Sequence, residues 1–167
     1  MTDEIVYDGW LKVFRRRFRD RTFEIIKDYD AVAAIIVNES NNILLVKQFR
    51  PALLRETLEI PAGTMDDDRE SDLDCLLREL KEETNLDIHP EEARLALSYK
   101  PNVGFSNSLM KIYQIRLPGK DNKSWDVKDG DVQGVVWLSF ETLEQMVSSG
   151  NILDVKTIVA YLYLKAT

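Results

Sequence analysis

The chain has one cysteine and one histidine in 167 residues, and each scarcity closes off a class of chemistry. A single thiol cannot form an internal disulfide and fits a reducing compartment. Without clusters of cysteine or histidine, the usual ligands of zinc are missing. Cys75 reads as a small buried hydrophobe rather than a nucleophile, and His89, beside Pro90 in an expected turn, reads as an exposed bystander rather than a base. Positive charge is also short: 22 lysines and arginines against 29 acids leave a net charge of -7. Such a chain repels polyanions, which disfavours nucleic-acid partners; a phosphate-bearing ligand would have to be met by a local arginine patch or by bound metal. No apolar run approaches the roughly 18 residues that cross a bilayer. The acidic, polar opening from Met1 to Asp8 lacks the pattern of a secretory signal. A cytoplasmic, soluble protein with no membrane partner is expected. Repeats, low-complexity tracts and linkers are absent as well, and the length and 44% hydrophobic content suit one domain with a real core.

What is present reads as strands interleaved with a few helices. Trp10 to Phe18 and Phe23 to Ile26 alternate apolar and polar residues, predicting two strands joined near Arg19-Asp20-Arg21. Arg15, Arg16, Arg17, Arg19 and Arg21 make either a phosphate-steering patch or a solvated strand face. Trp10, Phe14 and Phe18 belong to a dimer core or stack on a base, with core packing the preferred reading; Trp125 and Trp137 carry no readable signal. Ala31 to Val37 and Ile43 to Phe49 predict a central hairpin turning at Asn38 to Asn42. Leu53 to Ile60 is a further extended segment, stopped by Pro61-Ala62-Gly63, where proline lacks a ladder donor and glycine permits unusual backbone geometry. An acidic loop, Asp66 to Glu70, follows. Ala93 to Tyr99, Leu109 to Leu117 and Val132 to Leu138 predict three more strands. Ser139 can cap a helix ending before Gly150, and Asp154 another that carries Val155, Ile158, Val159 and Leu162 on one face.

The segment with chemical content is a helix expected over about residues 72 to 84. Leu73, Leu76, Leu77 and Leu80 form its core stripe. Ser71 and Asp74 have the spacing of a capping box, and Asn85 suits a left-handed stop. At about 100° per residue, Glu79, Glu82 and Glu83 share one face within an arc of roughly 100°. Like charges at these spacings cost a few tenths of a kcal/mol per pair, so a compensating cation is called for, although exposed glutamate pairs also occur on purely structural helices and Lys81 could help neutralise them. Hard oxygen ligands select magnesium, manganese or calcium. A calcium loop through Asp66, Asp68 and Glu70 is excluded, because the required glycine is missing and Leu77 occupies its twelfth position.

A glycine turn, an acidic loop, a capped helix and this triplet in succession resemble the Nudix box of the Nudix hydrolases. That pattern runs glycine, five residues, glutamate, seven residues, then Arg-Glu-apolar-x-Glu-Glu-x-Gly-apolar. Here Glu70 is followed by seven residues and Arg78-Glu79-Leu80-Lys81-Glu82-Glu83-Thr84-Asn85-Leu86. Six residues rather than five separate Gly63 from Glu70, and Asn85 stands in place of the last glycine. The flanks Gln48-Phe49-Arg50-Pro51, Arg55 to Gly63 and Gly104-Phe105-Ser106 resemble the ADP-ribose pyrophosphatase branch. The resemblance implies an α/β fold, an α/β/α sandwich around a mixed sheet over residues 31–167, with residues 1–30 as a strand extension that joins two subunits into a homodimer.

The resemblance also implies site roles. Ala62, through its carbonyl, and Glu79, Glu82 and Glu83 would bind Mg2+, with Mn2+ as an alternative. Glu82, Glu83 and Arg78 would be catalytic, with Arg78 orienting the box through Glu70 rather than touching substrate. Arg50, Glu56 and Gly104 would contact a small nucleoside diphosphate derivative, and Gly63, Glu70 and Asn85 would shape the box. ADP-ribose, cut to AMP and ribose 5-phosphate, is the implied substrate. Another nucleotide sugar, a dinucleotide, or ligand sensing without cleavage are the rivals. In that branch an acid commonly follows the Gly-Phe-Ser of the loop and activates water; Asn107 and Ser108 stand here, so the base would be a box glutamate such as Glu82 or Glu83, or come from another loop.

Overall fold

The structure, a computed structural model, describes residues 3–67, 69–117 and 130–167. Met1 and Thr2 of the extension, Asp68 of the acidic loop and Trp125 lie outside the described residues. Strand β4 (Ala31–Asn38) sets the architecture because it is apolar throughout and buried on both faces. Val32, Ala34 and Ile36 point into one core, and Ala33, Ile35 and Val37 into the other. Helix α1 (Asp72–Thr84) covers the first core with Cys75, Leu76 and Leu80. Helices α2 (Phe140–Ser148) and α3 (Val155–Ala166) cover the second with Leu143, Ala160 and Tyr161. The expected α/β/α sandwich around a mixed sheet is therefore what forms.

The sheet forks, and the fork positions the site. Strand β9 (Met110–Leu117) runs parallel to β4 along its whole length, and β8 (Arg94–Tyr99) is antiparallel to β9. On the other edge of β4, β5 (Asn42–Arg50) pairs only at Val37 and Ile43. Beyond that pair β5 follows β10 (Val132–Ser139) and β6 (Arg55–Glu59) instead. The vacated edge of β4 is taken by a short strand, β7 (Ala62–Thr64). Pro61 does interrupt β6 as expected, but Ala62 and Gly63 resume extended pairing. Gly63 is not among the residues with positive φ, so the permissive backbone inferred for it is not what it provides.

Most helix ends match the sequence. The Ser71 hydroxyl accepts from the Asp74 N–H at 3.1 Å, but the Asp74 carboxylate accepts from the Ser71 hydroxyl, so the reciprocal half of a capping box does not form. Asn85 stops α1 at φ 53°, with its N–H on the Lys81 carbonyl. Leu77 is only half-buried and Cys75 takes part in the core stripe. In α3 the expected face holds in part: Ile158 and Val159 pack against the second core, but Val155 and Leu162 are 51% and 54% exposed, while Lys156 and Thr157 are buried. Ala160 and Tyr161 are buried with them, so core packing and polar anchors in the first turn, described below, together set the rotation.

The extension has three strands rather than two: β1 (Asp3–Asp8), β2 (Lys12–Phe18) and β3 (Arg21–Lys27) form a separate antiparallel sheet. It touches the body where Ile26 N–H bonds the Phe105 carbonyl at 2.7 Å. Trp10 precedes β2 and is 66% exposed, its ring 5.6 Å from that of Tyr29. Core packing within one chain is thus not its role. Arg16 pairs with Asp3 at 2.5 Å and Arg15 lies 3.7 Å from both Glu4 and Glu24, so these arginines pair with acids of their own sheet. No helix among the described residues is long and apolar enough to cross a membrane.

Candidate active site

The fork opens a cleft of about 1000 Å³. Gln48 and Arg50 come from β5, Ala62 to Thr64 from β7, Arg78, Glu79 and Glu83 from α1, Asp131 from immediately before β10 and Lys156 from α3. The acidic loop adds Asp66, Asp67, Arg69 and Glu70, and Trp10 reaches the cleft from the extension. Arg50, Ala62, Gly63, Glu70, Arg78, Glu79 and Glu83 are brought together as the box pattern implies. Glu82 stands outside this lining with its side chain 47% exposed, yet within 3.4 Å of Arg78. Glu56 and Gly104 are exposed and away from the cleft, and Asn85 is at the far end of α1.

Two contacts lock α1 onto β7. The Ala62 N–H donates to Glu83 Oε2 at 3.0 Å, and Glu83 is 2% exposed. Gly63 lies so close to α1 that a methyl group there would fall inside the Glu79 side chain. Glycine is needed for room rather than for φ.

Arg78 organises the carboxylates. Its Nε and Nη2 donate to the two oxygens of Glu70 at 3.0 Å each, and its Nη1 donates to Glu79 at 2.8 Å and Glu82 at 3.4 Å. The fork geometry suits a guanidinium. Hydrogen bonds from Arg78 hold the Glu70 carboxyl below its ordinary value, and the same partner holds the guanidinium above its own. Repulsion between Glu79 and Glu82 is therefore already offset in part by Arg78, while Glu83 is held by the Ala62 N–H. Among the described residues no three acidic, cysteine or histidine side chains stand close enough together to cage an ion.

The donor set nonetheless fits a hard divalent cation. It comprises carboxylates and a backbone carbonyl, with room beside Gly63 for Glu79. Cys75 is no competitor: burial, then the Glu70 charge, pushes its thiol up to about 12. Ser108 is buried, with its hydroxyl 3.1 Å from that of Ser106, and Asn107 lies outside the cleft lining, so neither offers a proton acceptor there.

Asp131 and Lys156 are among the cleft residues that were not expected. Asp131, an acid immediately before a strand, carries only a weak positional signal. Lys156 carries a better one, since a lysine directly after the first residue of a helix opposes the helix dipole.

A layered α/β fold with a carboxylate-rich helix facing a cleft is the arrangement on which the family comparison bears. The NUDIX domain family model matches residues 27–155, and the chain belongs to the Nudix hydrolase family, whose members use divalent metal ions. The chain is similar to the methanol dehydrogenase activator of Bacillus methanolicus, 28% identical over 142 residues, 85% of this chain and 75% of that protein. It is 30% identical over 142 residues to the ADP-ribose pyrophosphatase of Bacillus subtilis strain 168, with the same coverage of 85% and 75%. The ADP-sugar pyrophosphatase of Mus musculus is 32% identical over 137 residues, 72% of this chain and 62% of the relative.

Proposed function

We propose that this chain cleaves the diphosphate of a nucleoside diphosphate joined to a second moiety, ADP-ribose first, releasing AMP and ribose 5-phosphate in the cytoplasm. The observation that carries this reading is the meeting of Glu79 and Glu83 with Ala62 and Gly63 in the wall of a cleft that also presents Arg50. The names of two relatives, an ADP-ribose and an ADP-sugar pyrophosphatase, favour an ADP-linked sugar.

Ala62, through its carbonyl, and Glu79, Glu82 and Glu83 would hold magnesium, with manganese as a working substitute. The ion supplies positive charge that neutralises the diphosphate as water attacks phosphorus. Arg78, pinned by Glu70, orients Glu79 and Glu82. Arg50 meets the diphosphate with a fixed guanidinium. The proton of the attacking water passes to a carboxylate, for which Glu82, Glu83 and the cleft acid Asp131 are the candidates. Glu56 and Gly104 would serve a site across a homodimer, and the exposed aromatic residues of the extension support such a dimer through residues 1–30.

The test is a product assay on ADP-ribose, nucleotide sugars, dinucleotides and nucleoside triphosphates with magnesium and with manganese. AMP and ribose 5-phosphate from ADP-ribose, in preference to the others, is expected. Preference for another diphosphate would move the substrate, and tight binding of ADP-ribose without product over hours would make the chain a sensor.

A further inference from the structure

A costly placement lies at the start of α3. Lys156 is 5% exposed, and it occupies the first turn of a helix, where the dipole opposes a cation. Ala160 and Tyr161 turn into the second core on the same helix, while Val155 and Leu162 stay half in solvent, and Lys156 and Thr157 are buried along with the apolar pair. Lys156 Nζ donates to Glu59 Oε2 and, at 3.0 Å, to Asp154 Oδ1. Thr157 Oγ1 accepts the Ile60 N–H at 2.9 Å and donates to Asp154 at 2.6 Å. The first turn of α3 is thereby fastened to the end of β6.

Glu59 is the hub. It is 2% exposed and takes both forks of Arg50, Nε at 2.7 Å and Nη2 at 2.5 Å, along with the Thr57 hydroxyl at 2.6 Å. Burial alone would raise its carboxyl, but the Arg50 hydrogen bonds, then the Lys156 charge and hydrogen bond and the Thr57 hydroxyl, lower it to about 2. Two cations and two carboxylates, Arg50, Lys156, Glu59 and Asp154, thus balance. Only Arg50 of these has a largely accessible side chain, 40% exposed, and it faces the cleft.

We propose that Lys156 is a positioning residue for the reaction: by sharing the Glu59 carboxylate it locks the Arg50 guanidinium in the cleft wall, ready for the substrate diphosphate. The role rests on the reading of Arg50 as a substrate contact. It makes the start of the C-terminal helix part of substrate recognition, although Lys156 need not touch the substrate.

The experiment combines kinetics with a spectroscopic readout on the full chain. KM and kcat for ADP-ribose with magnesium are measured for the parent, Lys156→Met, Lys156→Arg, Arg50→Gln and the double variant Arg50→Gln/Lys156→Met. Losing one charge-assisted contact predicts about a tenfold or greater rise in KM for Lys156→Met, with kcat within about twofold. Lys156→Arg keeps the charge and is expected within about threefold of the parent. In the Arg50→Gln background the second substitution adds nothing, because the group it positions is gone. The Arg50 Nε–H resonance, assigned by its loss in Arg50→Gln, should be protected in the parent and lost to exchange in Lys156→Met. Multiplicative effects in the double variant, or an unchanged Nε–H signal, overturn the role of Lys156. If Lys156→Met does not fold, Lys156→Gln replaces it with the same expectations. A parent that neither binds nor cleaves ADP-ribose overturns the functional reading instead, whereas a normally active parent with an unaltered KM in Lys156→Met overturns only the positioning role.

Discussion

Replacing Gly63 with alanine would drive a methyl group into the Cγ of Glu79. Neither side can step back freely. Gly63 is held in register opposite Val32 of β4, and Ala62 beside it is bonded to Glu83. Glu79 must therefore leave its rotamer, at a cost of about 0.5–1.5 kcal/mol. It also gives up its 2.8 Å contact with Arg78, a half-screened pair worth at most about 1 kcal/mol. The sum, about 0.5–2.5 kcal/mol, corresponds to a melting temperature lower by about 1–10 °C for a chain of this size. Activity should suffer more than stability, because misplacing a side chain that the proposed mechanism uses by about 1 Å can cost on the order of 100-fold in rate. Differential scanning calorimetry and kcat/KM on ADP-ribose would be measured for Gly63→Ala beside Gly134→Ala, a glycine with open space where its Cβ would go. Gly134→Ala should match the parent in stability. If Gly63→Ala retains its melting temperature and kcat/KM within about twofold, the close approach of β7 and α1 does not position Glu79.

Three further outcomes are expected. Because the Glu59 carboxyl falls from 4.5 to about 2 on folding, its contribution is present above pH 4.5 and is lost as pH falls through about 2. That contribution is on the order of 3 kcal/mol, so urea unfolding should find Glu59→Gln well below the parent at pH 6 and the gap closing by pH 2.5; a gap independent of pH contradicts the pairing. Asn85→Gly should leave stability within about 0.5 kcal/mol, whereas Asn85→Ala should lose about 1 kcal/mol for a left-handed residue; equal midpoints for the two would remove the conformational role of Asn85. Asp131→Asn should lower kcat by at least about 100-fold with KM little changed if Asp131 takes the proton, and a kcat near the parent value returns that task to Glu82 or Glu83.

What could be read from the sequence was local. The span of α1 and its Ser71 and Asn85 ends follow from periodicity and capping, and the structure places them as expected. The pairing of Arg78 with Glu70, inferred from the box resemblance, likewise recurs in the structure. The continuous apolar run of β4 announced a strand buried on both faces. Legibility ended where distant segments meet. The hairpin expected between β4 and β5 pairs at one point only, because β5 turns to β10 and β6 and leaves the fork that becomes the cleft. The burial of Lys156 was hidden for the same reason: its partner Glu59 lies 97 residues earlier in the chain. The first strand of the extension was also missed, since Asp3–Asp8 is exposed throughout and lacks a buried face to impose alternation.

The central claim is that the carboxylates of α1 drive diphosphate cleavage, and chromatographic quantitation of AMP from ADP-ribose and magnesium tests it most directly. The parent should release AMP and ribose 5-phosphate in equal amounts, and Glu82→Gln and Glu83→Gln should each lose most of that turnover, on the order of 100-fold, while keeping a folded spectrum. Near-parent AMP release in both variants would contradict the account.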